Sequence, residues 1–384
     1  MSSLESYYLK GNPFTIVPSR TSPFWADRVK FKGEIEKAVE FTLYGTQSQI
    51  IACIYGDWGC GKTHAMNYFS NEEILRKIAD TAKIPADRAL LSIPTIFPIN
   101  EVFNSLYLDI IYRHLIPKLD EMLEFLAKQK TPIAPLQTEG SLEEKLRDLT
   151  IGEDMARVLP QFTTRDKAML VRRYLSRTAS RGDLTDLGVA KGIETNGEML
   201  TALTDVMKLF TKTKYSRIFI WIDDCERIDE VPGKAMFEFQ YFLRDILDLM
   251  PERLTLIVNF TLYPGEEISE RMKYLGPAVQ SRISKIITVG YFDHDDYLQY
   301  VEDLLENSRK RPRGVTIPKY FPFSQGCLDN LFQILEKSTS NLQPRTVNRV
   351  LSSLLEHGLR ESIPLIDDKY LDKLKEEVYA VMAS

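Results

Sequence analysis

The 384-residue sequence has little of what marks a secreted, metal-bound or membrane-spanning protein. It has only four cysteines (Cys53, Cys60, Cys225 and Cys327), far apart and with no Cys-x-x-Cys pair. That excludes a disulfide framework and a cysteine-rich zinc site, and it suits a reducing cytosol. Four histidines (His64, His114, His294 and His357) are scattered without metal-ligand spacing, so no structural metal is expected. No apolar run is long enough to span a bilayer. The opening stretch MSSLESYYLKGNPF has no apolar h-region, so no signal peptide is expected. Internal repeats and low-complexity segments are missing too. Net charge is −5, so the chain is not a polycation, and any contact with nucleic acid must come from a local patch. What remains is 44% hydrophobic and 27% charged, ordinary for a soluble globular protein with one large domain or two smaller ones, and with the sparse cysteines a cytoplasmic setting is expected.

Five short apolar runs read as strands: SQIIACIYG at 48–56, RALLSIPTIFP at 88–98, RIFIWIDD at 217–224, RLTLIVNFT at 253–261 and SKIITVGYF at 284–292. Helical spacing lies between them, at 30–45, 62–80 and 235–250. Apolar strands alternating with helices predict an α/β fold, a parallel sheet sandwiched by helices and buried on both faces. Residues from about 100 to 213 read as helices only. This is too long for an ordinary connection, so it is packed structure or a functional lid. From Asp293 onward the pattern is helical again. The expected division is an α/β domain over 1–292, including the insertion, and a C-terminal helical domain over 293–384.

The most informative stretch follows the first strand. Gly56, Gly61, Lys62 and Thr63 fit G-x-x-x-x-G-K-[ST], with Gly59 inside the turn, between a strand and a helix. Glycines let the backbone curl so that successive N–H groups point at phosphate oxygens, and the helix N-terminus adds its positive dipole end. The run expected to bind nucleotide is Gly56, Asp57, Trp58, Gly59, Cys60, Gly61, Lys62, Thr63 and His64. Lys62 would reach the β- and γ-phosphates, and the Thr63 hydroxyl would ligate Mg²⁺. His64 either touches the nucleotide or continues the helix. The partner motif is IFIWIDDCERI, whose strand ends on Asp223, the expected Mg²⁺ carboxylate. Asp224 follows where a water-activating base is needed. Either it reaches, or Glu226 helps, or turnover is slow.

With these two motifs the chain resembles an AAA+ ATPase, a P-loop NTPase with a five-stranded sheet and a helical lid. The resemblance covers residues 10 to 355 apart from the insertion. It implies further roles: Asn259, at the end of the fourth strand, polarises the attacking water, with Thr261 as the nearest rival. Arg282, before the fifth strand, acts as a finger on the γ-phosphate held by the next subunit. Arg345, at the start of a lid helix, senses nucleotide. A finger acting in trans implies a ring or filament of identical subunits. Within that family the chain looks most like the initiator and origin-recognition branch. There, Asn12, Pro13, Phe14 and Trp25 border the base or pack in the core. About 40 residues follow Arg345, too few for the winged-helix module of those initiators. The stretch from Val171 to Ile228 is similar to ATPases of BREX-type anti-phage systems, and transposition-regulator ATPases share the compact layout. The function implied is binding and hydrolysis of ATP with Mg²⁺ to control assembly on DNA or with DNA-bound partners. Two alternatives stand beside it. A nucleotide-gated signalling switch of the STAND type lacks a long sensor region here. A protein remodeller would need a pore loop, and IFPINEVF lacks its glycine. In the insertion, Arg165, Arg172 and Arg173 are placed to form one basic face, and SRKRPRG at 308–314 is a short basic loop.

Overall fold

The computed structural model describes residues 4–16, 24–55, 58–85, 88–128, 141–263, 265–338 and 342–383. The apolar runs form five strands: β1 (Gln49–Tyr55), β2 (Ala89–Ile96), β3 (Tyr215–Asp223), β4 (Leu254–Thr261) and β5 (Ile283–Val289). They make one sheet in the order β2-β3-β4-β1-β5. The β2–β3 and β3–β4 pairs are parallel. All eight residues of β4 are buried, and eight of the nine in β3. This is the signature of a sheet covered on both faces. Pro94, which cannot donate to a ladder, falls in edge strand β2. The other edge departs from the expected burial on both faces. In β5, Ser284, Lys285, Ile286 and Thr288 are exposed, and an exposed lysine is a usual guard against edge-to-edge pairing.

The chain divides into two compact units: Glu36–Ile54 with Phe69–Ile287, and Met1–Ile35 with Tyr55–Tyr68 and Thr288–Ser384. The first holds the sheet and the insertion. Between β2 and β3 every described element is helical, from Val102–Leu108 to Asn196–Lys212. These helices are packed structure. Phe103 meets Phe242 edge-on at 5.4 Å, Phe97 meets Phe239 at 4.9 Å, and the Tyr107 hydroxyl donates to Leu175 O at 2.7 Å. At the start of β3, Arg217 is 1% exposed and has carbonyls for partners. It donates to Gly45 O, Gln47 O and Leu254 O, and to the Thr255 hydroxyl. Burial lowers its pKa to about 10.

The second unit is a bundle built on His294–Asn307, Gln325–Ser338 and Pro344–Arg360. Its core includes Tyr297, Val301, Leu328, Val347 and Leu351. The N-terminal arm belongs to this core. Tyr7 donates its hydroxyl to Ile363 O at 2.6 Å, and Phe14 packs against Phe323. Asn12 donates to Ser352 Oγ, and Asn348 donates to Thr15 O. Of the two readings for Asn12 and Phe14, packing is therefore the one observed. The single helix expected over 62–80 is two, Lys62–Phe69 and Glu72–Thr81. Asn71 breaks it, because its side chain accepts from the N–H groups of Glu73 and Ile74 and caps the second helix.

Candidate functional site

Of the nucleotide-binding run, Gly56 and Asp57 lie outside the described residues. Gly59 and Gly61 both have φ of +101°, a conformation that only glycine adopts cheaply. Gly59 is also constrained by space: a Cβ there would lie 2.7 Å from Arg345 Cβ and 2.9 Å from Gln343 Oε1. Arg345, the second residue of the helix Pro344–Arg360, thus lies against the loop. Gly59→Ala is expected to push this helix start off the loop and weaken ADP binding at least about tenfold, as titration calorimetry would show. Lys62, the first residue of the following helix, is 7% exposed. Thr63 is half-buried in the same turn, and Trp58 is exposed.

His64 continues that helix. Its ring centre lies 5.4 Å from that of Trp25, which also meets Tyr68 and Phe31. Burial pushes the imidazole below its ordinary value of 6.5. A folded state that favours neutral imidazole has its full contribution above that value and loses it as pH falls. Thermal stability is expected to drop between about pH 7 and pH 5.5, and His64→Gln is expected to flatten the drop in melting curves.

The acidic strand lies in the unit that holds the sheet. Register sets Ile222 of β3 opposite Val258 of β4, which brings the next residues together. Asn259 Nδ2 donates to Asp223 Oδ1 at 2.9 Å, with both side chains fully buried. Asn259 Oδ1 is buried and accepts no hydrogen bond. An acceptor is therefore left beside a buried carboxylate, a donor set that fits a hard cation or its water. Asp224 follows at φ 56°, ψ 36°, a left-handed conformation that turns the chain out of the strand. Glu226 turns back under β4: its Oε1 accepts from the Thr261 hydroxyl at 2.6 Å and its Oε2 from the Thr261 N–H at 3.3 Å. Thr261, the rival to Asn259, is thus the partner of Glu226. Between them, Cys225 is buried, and its surroundings push the thiol well up, so it is inert.

Arg282 lies on the surface of the same unit. It pairs with Asp248 at 2.7 Å and donates to Arg244 O, both near the end of the helix Gly233–Leu249. Two of the three residues of the expected basic face of the insertion also make local contacts. Arg173 pairs with Asp183 yet remains exposed, as does Arg165, and Arg172 covers the Phe162 ring at 4.9 Å. In the 308–314 loop, Arg309 is buried against the carbonyls of Pro318 and Lys319. Lys310 and Arg311 pair with Glu5 and Glu306. Sequence reasoning missed Arg28, which donates through Nη1 to Cys60 O of the loop at 2.6 Å. The only signal was its place in FWADR, just before the first helix.

Residues 35–258, more than half the chain, match the model of the KAP family P-loop domain. The chain belongs to the KAP family. As a P-loop NTPase of that family it is an ATPase by class. No curated protein matches the KAP chain by sequence. Its fold is similar to that of the ORC2 protein of Aeropyrum pernix in its ADP form. That match has 10% identity and a TM-score of 0.52, over 95% of this chain and 72% of that one. The same protein in ADPNP–ADP complexes gives 11% identity and a TM-score of 0.51, over 98% and 73%. The KAP domain thus accounts for the phosphate loop and acidic strand, and the likeness to ORC2 is one of fold. Among the described residues, no helix is long and apolar enough to cross a membrane.

Proposed function

We propose that the protein binds ATP with Mg²⁺ at a subunit interface and uses hydrolysis to control assembly on DNA or with DNA-bound partners. The setting is cytoplasmic, in DNA replication, transposition or anti-phage defence. Residues 1–292 serve as the nucleotide-binding domain and 293–384 as its lid. The observation that carries this reading is the glycine loop, bent through two left-handed glycines, with Arg345 against it. In this reading the loop amides and Lys62 hold the phosphates, and Arg345 senses them from the lid. Thr63 and Asp223 hold the metal, which when bound neutralises charge on the β- and γ-phosphates. Asn259 orients the water through its open carbonyl, and Asp224 takes its proton. Glu226 is the weaker candidate for base, since both its oxygens accept from Thr261. Arg282 reaches a neighbouring subunit's γ-phosphate after leaving Asp248. Breaking such an exposed pair costs no more than about 1 kcal/mol.

Light scattering and DNA fluorescence anisotropy, with and without ATP-Mg²⁺ at two salt concentrations, test this reading. ATP-dependent mass and salt-sensitive DNA binding, both lost in Arg282→Ala, are the expected results. A protein that binds ATP yet stays monomeric and ignores DNA would overturn the assembly role.

A further inference from the structure

Two consecutive non-glycine residues before the first helix, Asp27 and Arg28, have φ of 42° and 54°. This conformation is unfavourable for residues with a Cβ, and it persists only where surrounding contacts hold it. Those contacts are specific. The Asp27 N–H donates to Asp303 Oδ2 on the helix His294–Asn307 at 2.7 Å. The Asp27 carbonyl accepts from Trp25 Nε1. Arg28 divides its guanidinium between two carbonyls: Nη1 donates to Cys60 O in the phosphate loop, and Nη2 to Gly290 O, just past the end of β5. The guanidinium carbon lies over the Phe292 ring, 4.8 Å from its centre. Two residues past Gly290, the Phe292 N–H donates to Leu342 O. Leu342 precedes Gln343, whose side chain borders Gly59. The contacts close a circuit that begins and ends in the phosphate loop and passes through the junction leading into the bundle.

We propose that Arg28 is a positioning residue that couples nucleotide occupancy of the phosphate loop to the C-terminal helices by bridging Cys60 O and Gly290 O. A loop carbonyl that shifts when phosphate enters pulls on a rigid, doubly held guanidinium. The guanidinium transmits the shift to Gly290, and the Asp27–Asp303 bond carries it to His294–Asn307. Arginine is required because a lysine ammonium, without the planar fork, cannot serve both carbonyls while lying over Phe292. The proposal rests on ATP binding by the loop, as in the function proposed above.

The test is hydrogen exchange on the full chain, with and without saturating ADPNP-Mg²⁺, in wild type, Arg28→Ala and Arg28→Lys. Melting curves serve as the folding control, and Arg28→Lys decides if Arg28→Ala does not fold. In wild type, nucleotide is expected to slow exchange in both Lys62–Phe69 and His294–Asn307. In the variants it should slow only the first, with affinity about tenfold weaker. Undiminished protection of His294–Asn307 in the variants would overturn the coupling. So would its absence in wild type while Lys62–Phe69 responds, or loss of both responses together in the variants. No response of Lys62–Phe69 in wild type would instead overturn nucleotide binding itself, and the coupling with it.

Discussion

Lys62→Ala is expected to lower ATP turnover by about 10²–10³-fold, because it removes the loop's one cationic donor to the phosphate charge that develops on transfer. The ammonium is buried at the N-terminal end of its helix. It therefore acts where water screens it little and where the helix dipole already favours an anion. ATP affinity is expected to fall by about 100-fold. Melting temperature is expected to stay close to wild type without nucleotide and to lose the rise that ATP-Mg²⁺ produces in the parent protein. Steady-state phosphate release and melting curves with and without nucleotide check both parts. A variant with unchanged turnover would mean that the loop does not bind phosphate productively.

The second large effect separates two neighbouring carboxylates. Asp224→Asn is expected to reduce kcat by about 10²-fold or more while ATP binding persists, the pattern of a lost general base. Glu226→Gln should reduce kcat only a few-fold. Its amide keeps one oxygen to accept from Thr261, so the main consequence is a loosened join between the turn after β3 and the end of β4. Glu226→Ala leaves the Thr261 hydroxyl and N–H without this buried acceptor. It should cost about 1–3 kcal/mol of stability, read as a lower melting temperature. A larger kcat loss in Glu226→Gln than in Asp224→Asn would reverse the assignment.

The sheet was legible because its signal is local. Each strand is a run of apolar, largely β-branched residues closed by polar ones, and burial on both faces permits nothing else in the centre. The phosphate loop was legible for the same reason, since its chemistry demands glycine and lysine at fixed spacing. Asp223 and Asn259 were each legible as strand ends, yet only the register of β3 on β4 explains why they bond to each other. The rest depends on contacts distant in sequence. Asn12 and Phe14 are spent on the bundle some 340 and 309 residues away. The basic residues of the insertion read as one face, and only the structure shows that Arg173 pairs with Asp183 and that Arg172 covers Phe162, both on neighbouring segments. Arg28 carries no motif. Its role comes from a left-handed backbone that no composition signals, and from carbonyls at Cys60 and Gly290.

A site shared between subunits is tested most directly by mixing two variants, Lys62→Ala and Arg282→Ala, each expected to be nearly inactive alone, and measuring phosphate release against the mixing ratio. A Lys62→Ala subunit keeps its arginine, and an Arg282→Ala subunit keeps its phosphate loop. Where they meet, one complete site is expected, so activity should return in the mixture and peak near equal amounts. Activity that stays at zero at every ratio, or full activity in Arg282→Ala alone, would contradict a site completed in trans.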